Sequence, residues 1–227
     1  MIIYGKQVVL HVLDKHPDLI EEVMFSKDIE PKLFRRFTSL NTKIIKLDNK
    51  KAQSLAHGGN HQGFFLKLKE FQTQSLKDIK DSNFIVVLDG LTDVGNIGAI
   101  CRSAYSLGVD AIIACNVNQL NYAAIARTSS GALLDLPFCN FPNILDLTNE
   151  LKHSGFKLVG ASMEGTSLKE FELKNEKTAL FLGSEGEGLS NKVIKKLDHK
   201  VSIEMSNNFD SLNVSVAAGI LIYNLKN

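Results

Sequence analysis

The sequence predicts an α/β protein in two parts: a C-terminal unit built on a mostly parallel sheet covered on both faces, preceded by a small α/β unit. Three observations carry this reading. After residue 83, short apolar runs alternate with amphipathic helical segments, the pattern of parallel strands buried on both faces. A polar stretch at 71–82 without a clear apolar period separates them from an earlier helix–strand alternation. Glycine-rich or polar loops follow several of the later runs, where sheets of this kind bind ligands.

The first unit, 1–70, opens on Tyr4-Gly5-Lys6 and a helical segment at 7–15 with apolar Val8, Val9, Val12 and Leu13. Strands are expected at 22–25 and 43–46. Between them a helix at 31–40 starts on Pro31, a residue suited to the first turn. The polar turn His57-Gly58-Gly59-Asn60-His61-Gln62-Gly63 precedes a strand at 64–68. Its two histidines have no acidic or cysteine companion, so no metal site is expected. The linker is placed at 71–82 and the second unit at 83–227. There, strands are expected at 84–88, 111–114, 157–161, 178–182 and 201–203. Helices are expected at 96–107, 144–154, 191–197 and 213–225, the last with a serine cap from Ser211 or Ser215.

Composition narrows the class. The chain has 227 residues, 44% of them hydrophobic and 22% charged, as in globular proteins that bury a sizeable core. No apolar run reaches the roughly 18 to 20 residues of a membrane helix. The N-terminus lacks the pattern of a signal peptide, so a cytoplasmic protein is expected. Cys101, Cys115 and Cys139 form no CxxC pair and read as small buried hydrophobes. The net charge of +1 hides an asymmetry: residues 1–82 carry 14 Lys and Arg against 10 Asp and Glu, the remainder 12 against 15. A modestly basic first unit is compatible with a polyanionic partner.

Three loops hold the candidate chemistry. The first runs from Asp93 through Asn96, a plausible N-cap, to Arg102. An arginine early in a helix opposes the macrodipole, which makes an anionic partner worth seeking. Arg127-Thr128-Ser129-Ser130 adds a second arginine near small hydroxyl residues. The second loop, Gly183-Ser184-Glu185-Gly186-Glu187-Gly188, allows close backbone approach, but no Gly-Lys-Ser/Thr follows and its two glutamates disfavour a phosphate. The third carries Ser211 and Asn213 to a loop-to-helix junction, where backbone N–H groups lack partners within the helix. A GxSxG hydrolase is excluded, because Ser184 lies in GSEG. A dinucleotide-binding unit is disfavoured, because the glycine loop comes late and is not GxGxxG.

In this order, DVGNIGAICRSA, LFLGSEGEGLS and IEMSNNFDSLNVSVAAG closely resemble the motifs of the SpoU (TrmH-like) branch of the SPOUT superfamily, RNA ribose 2′-O-methyltransferases that use S-adenosylmethionine. YGK near the start and NHQG near the end of the first unit are similar to that family's RNA-binding domain. The resemblance implies a deep trefoil knot at the C-terminus, a rare exception to the unthreaded rule. It also implies a cofactor pocket in the knot contacted by Gly183, Ile203, Met205 and Leu212, and a catalytic set of Asn96, Arg102, Glu185, Ser211 and Asn213. It further implies a homodimer through the knot region, with RNA as partner and neither DNA nor membrane. The group methylated in such a relative would be a guanosine ribose of 23S rRNA. A tRNA substrate, or a non-catalytic RNA-binding assembly factor with the same fold, are the alternatives. Val94, Arg127, Glu204 and Asn207 depart from the family's usual residues, and none of them removes a catalytic side chain.

Overall fold

The computed structural model describes residues 1–173, 176–184, 186–206 and 211–226. Its first sheet has four strands in the order β1-β4-β2-β3: β1 (Ile2–Tyr4), β2 (Ile20–Phe25), β3 (Lys43–Lys46) and β4 (Phe64–Leu68). β4 runs antiparallel to β1 and β2, and β2 is parallel to β3. Helices α1 (Lys6–Lys15), α2 (Pro31–Thr38) and α3 (Asn49–Leu55) connect them. On one face the Phe25 ring meets Phe37 and Phe64 edge-on, with centroids 5.1 and 5.8 Å away, a geometry that satisfies the ring quadrupoles. Met24, Leu47, Ala52, Ala56 and Phe65 fill the other face. The expected strands and helices are present. β1 and α3 are additional; a three-residue strand and a short helix rich in polar residues give too little apolar period to read.

The segment 71–82 is tied to the second sheet rather than free of it. Leu76–Ile79 forms α4, closed by a reciprocal capping box between Ser75 and Asp78. Phe71 stacks on Tyr122 with ring centroids 4.8 Å apart, and the Gln74 N–H donates to the Phe138 carbonyl at 2.8 Å.

The second sheet has six strands, all parallel, in the order β10-β8-β9-β5-β6-β7. These are β5 (Phe84–Asp89), β6 (Ala111–Cys115), β7 (Phe138–Phe141), β8 (Lys157–Ser167), β9 (Thr178–Leu182) and β10 (His199–Ser202). β5, β6 and β9 are buried along their whole length, as their unbroken apolar runs require. Helices α5 (Val94–Ser106), α6 (Tyr122–Thr128), α7 (Ala132–Asp135), α8 (Ile144–His153), α9 (Asn191–Ile194) and α10 (Val214–Lys226) complete the layers. The mostly parallel sheet and the preceding α/β unit are as expected. β7, α6 and α7 are additional, β8 is longer than expected, and α9 is shorter. β8 is longer because it pairs with β10 twice: Val159 and Gly160 align with His199 and Lys200, then Thr166 and Ser167 with Val201 and Ser202, so 161–165 step out of register. Among the described residues no helix is long and apolar enough to cross a membrane.

The three cysteines are free and buried. Burial pushes the thiols of Cys101 and Cys115 up to about 12 and that of Cys139 to about 11, so they pack as hydrophobes and are poor nucleophiles.

Candidate functional site

Because every strand of the second sheet is parallel, the turns after β5, β9 and β10 leave the same edge. After β5 the chain moves outward to β6, while the connection from β9 leads to β10 on the other flank, so a crevice opens between β5 and β9. The two turns there lie side by side: a side chain added to Gly90, which sits at φ +67°, would come 3.9 Å from Ser184 Cβ.

Asp89 ends β5 inside this edge and is 9% exposed. Its carboxylate accepts from Asn116 Nδ2 at 2.6 Å, and Asn116 Oδ1 accepts the Ile144 N–H at 3.3 Å. Loss of hydration raises the Asp89 pKa above the ordinary carboxylate value, and the Asn116 bond opposes that rise.

The start of α5 corrects one expectation. Asp93, not Asn96, is the N-cap: its carboxylate accepts the Asn96 N–H at 2.7 Å, and the helix begins at Val94. A carboxylate three residues ahead of the N–H it accepts serves an orphan donor and the macrodipole together, which leaves the Asn96 side chain to another partner. That partner is Asn213, whose Nδ2 donates to Asn96 Oδ1 at 2.9 Å across 117 residues of chain. Asn213 also corrects the second cap. Its Oδ1 accepts from the Ser215 N–H at 2.9 Å and from Ser215 Oγ at 2.6 Å, so it opens α10 where a serine cap had been expected. The first and third loops are thereby joined. Along the same contact α10 lies on α5, with Ser103 Oγ 3.8 Å from where a Cβ on Gly219 would be.

Arg102 is exposed on α5 and, among the described residues, makes no hydrogen bond or ion pair. Six residues beyond Asn96 it stands about 9 Å further along the helix axis, and about a third of a turn off the Asn96 stripe. Arg127 stacks its guanidinium over the Tyr4 ring at 4.9 Å, a cation–π contact that joins α6 to the first sheet. The hydroxyls after it are structural. Thr128 Oγ1 donates to the Val94 carbonyl at 2.8 Å, and buried Ser129 Oγ accepts the Leu133 N–H at 3.2 Å. Gly98 makes this packing possible, because a Cβ there would sit 2.0 Å from Thr128 Oγ1.

In the second loop Gly183 is a steric requirement: an added Cβ would lie 2.0 Å from the Gly188 carbonyl carbon. Ser184 and Gly188 bridge each other, and Gly186 and Gly188 take positive φ, so the loop folds tightly on itself. Glu185 lies outside the described residues, as does Asn207. On the third loop Ile203 is half-buried against the main core, while Met205 and Leu212 are each 37% exposed. Ser211 is exposed. Between them Glu204 accepts from Lys169 Nζ at 2.6 Å, a bond that holds its carboxyl below the ordinary value. Sequence reasoning missed Asp93, Asn116 and the Asn96–Asn213 bond. Only Asp93 had a usable signal, as an Asx residue immediately before a helical run.

Comparison with known proteins identifies the family. Residues 83–223 match the SpoU rRNA Methylase family, and residues 2–74 match a family described as RNA 2′-O ribose methyltransferase substrate binding. The chain belongs to the SpoU rRNA methylase family. Its methylase region contains all three loops and the six-stranded sheet, and its substrate-binding region contains the four-stranded one. A relative from Escherichia coli K12, the 23S rRNA (guanosine-2′-O-)-methyltransferase RlmB, is 31% identical over 98% of this chain and 96% of its own. An uncharacterized tRNA/rRNA methyltransferase of Borreliella burgdorferi is 32% identical over 82% of this chain and 88% of its own. Among solved structures, an AdoMet-bound rRNA methyltransferase from Sinorhizobium meliloti superposes with TM-score 0.81 at 20% identity, covering 98% of this chain and 85% of that one. The SpoU methyltransferase AviRb from Streptomyces viridochromogenes, in complex with AdoMet, gives 0.80 at 23% identity, covering 99% and 88%. At these identities the structural likeness speaks to the SPOUT methyltransferase fold.

Proposed function

We propose that this SpoU family member transfers a methyl group from S-adenosylmethionine to the ribose 2′-OH of a guanosine in 23S rRNA. The observation that carries the reading is the Asn96–Asn213 hydrogen bond at 2.9 Å, which gathers two of the three loops beside the β5–β9 crevice. The residues present suit the cofactor. Exposed Met205 and Leu212 and half-buried Ile203 offer apolar surface for an adenine, and the glycine loop that begins at Gly183 offers backbone at close range. When bound, S-adenosylmethionine supplies an electrophilic methyl on a sulfonium.

The chain's own residues then have to orient a hydroxyl that is a poor nucleophile at neutral pH. Arg102 is effectively always protonated, so its role is electrostatic: it clamps the phosphate beside the target ribose and stabilises the charge that develops on the 2′-oxygen as its proton passes to water. Asn96 and Asn213 hold each other, which fixes the approach of the two loops. Glu185 and Ser211 complete the proposed set, Glu185 to orient Arg102 and Ser211 to position the 2′-OH. The knot and a homodimer through it belong to the same reading. α10 leaves Val216 and Tyr223 50% and 61% exposed, apolar surface of the kind a second copy covers.

The test is incubation of the protein with methyl-labelled S-adenosylmethionine and 23S rRNA, followed by nucleoside analysis. Label on a guanosine ribose is expected, and label on a base would sink the reaction type. Competition with bulk tRNA decides between RNA classes, and sedimentation decides the dimer.

A further inference from the structure

Away from those loops, three metal-binding side chains meet where the first unit touches the second. His11 lies on α1, His16 caps its C-terminus, and Asp135 ends α7. Asp135 Oδ2 is 2.6 Å from His11 Nε2, and its Oδ1 is 2.8 Å from His16 Nε2. All three ligand atoms lie within 4.8 Å of one another, and the side chains are only 20%, 21% and 10% exposed.

We propose that His11, His16 and Asp135 form a binding site for a divalent first-row transition ion of the zinc class, which clips the substrate-binding unit to the methylase unit. The donor set selects that class: two imidazole nitrogens and one carboxylate oxygen suit zinc, cobalt or nickel, whereas magnesium and calcium prefer oxygen alone. Three protein donors leave a fourth position for water. Both rings present Nε2 to the same carboxylate from its two oxygens, so the donors already converge. Metal–ligand bonds of about 2.0–2.1 Å in a tetrahedron put donors roughly 3.3 Å apart. The two imidazole–carboxylate contacts, 2.6 and 2.8 Å, have to open by less than an ångström to reach that spacing, and the remaining donor pair, within 4.8 Å, has to close toward it. The His11 ring is fixed from behind, since it packs where a Cβ on Gly131 would lie, 2.4 Å from its Cδ2. One charge opposes the ion: Lys15 Nζ stands 3.6 Å from Asp135 Oδ2. Lys15 is 44% exposed and already donates to Tyr105 Oη at 2.6 Å, so it has a second place to go.

The competing explanation is that the two imidazole–carboxylate hydrogen bonds are the whole of the contact. Titrating the full, tag-free chain with Zn²⁺ and Co²⁺ after chelator dialysis distinguishes the two, and it does so whether or not the methyl-transfer reading holds. One ion per chain is expected, with visible absorption of four-coordinate cobalt and a higher Tm in the presence of Zn²⁺. Asp135→Asn and His16→Ala should each weaken binding by more than the about ten- to hundredfold that loss of a supporting partner costs a metal site. His16→Gln keeps a hydrogen-bond donor for Asp135 and guards against misfolding; it should fold like the parent yet lose the ion. His61→Ala, in the glycine turn, should bind as the parent does. Binding of less than about a fifth of an ion per chain, or unchanged affinity in both His16→Gln and Asp135→Asn, overturns the site.

Discussion

The two sheets use similar elements and differ in direction. In the four-stranded sheet β4 runs against its neighbours, so its connections leave both ends and no single edge collects polar loops. In the six-stranded sheet every strand is parallel, and the turns after β5, β9 and β10 emerge together. Asp89, Asn96, Ser184 and Asn213 are brought to one edge by that uniformity, although they come from positions across 125 residues of sequence. The first sheet instead meets the second unit through α1 and Tyr4. Strand direction thus separates a unit built to hold RNA from one built to act on it.

The sharpest way to break this comparison is Arg102→Ala. Exposed on α5 and without an ion-pair partner among the described residues, Arg102 contributes little to the fold. The substitution should leave Tm and cofactor affinity nearly unchanged while lowering transfer more than about a hundredfold, or roughly 2.7 kcal/mol of barrier. Activity within about tenfold of the parent would remove it from the chemistry. Gly183→Ala is next. Its methyl collides with the Gly188 backbone, which cannot rotate away as a side chain can. A loss of about 2 kcal/mol in chemical denaturation is expected, together with weaker S-adenosylmethionine binding in calorimetry.

What could be read in advance follows the same division. Apolar runs with no polar interruption identified β5, β6 and β9, because burial on both faces leaves a strand no choice of residue. β7, by contrast, is an edge strand that exposes Asn140 and gives no such run. α6 and α7 are short, and Thr128 and Ser129 spend their hydroxyls on backbone carbonyls and N–H groups, so they carry little helical period. The three loops were legible as motifs. Their meeting was expected from the family resemblance and not from the residues themselves, since a hydrogen bond between Asn96 and Asn213 depends on α10 returning to α5, a tertiary event without local signature. The His11–His16–Asp135 cluster had no local signature either, because Asp135 lies 124 and 119 residues from the two histidines.

Asn213→Ala tests that tertiary link. It removes the tie to Asn96 and the acceptor for the Ser215 N–H, so about 1 kcal/mol of stability should go with the cap. Transfer should drop by roughly tenfold. A variant that keeps full activity would show that the loops find each other without the amide. A smaller effect belongs to Asp89. Its carboxyl is raised in the folded protein, so the folding stability it contributes is fully present below the ordinary carboxylate value and lost as pH rises through the raised one. Asp89→Asn should therefore match or exceed the parent's stability at neutral pH. The difference should close as pH falls toward about 4, and urea melts at several pH values check it. A variant less stable than the parent at neutral pH would mean that the Asn116 bond outweighs the burial.

The smallest expected effect lies on the third loop, at Lys169–Glu204. Lys169 Nζ donates to Glu204 at 2.6 Å, but the two side chains are 78% and 52% exposed. The hydrogen bond from Lys169 lowers the Glu204 pKa, with Ser167 and the lysine's charge adding to it. A lowered carboxylate adds stability above its unfolded value and surrenders it as pH falls through the folded one, so the pair should matter at neutral pH and not in acid. Solvent screening keeps even that contribution small, and salt reduces it further. Lys169→Ala should accordingly leave the melt within experimental scatter at moderate salt. Any effect should appear in cofactor affinity at low ionic strength, because Glu204 precedes Met205 on the loop proposed to hold the adenine. An affinity loss that persists in high salt would mean that Lys169 positions the loop by contact rather than by charge.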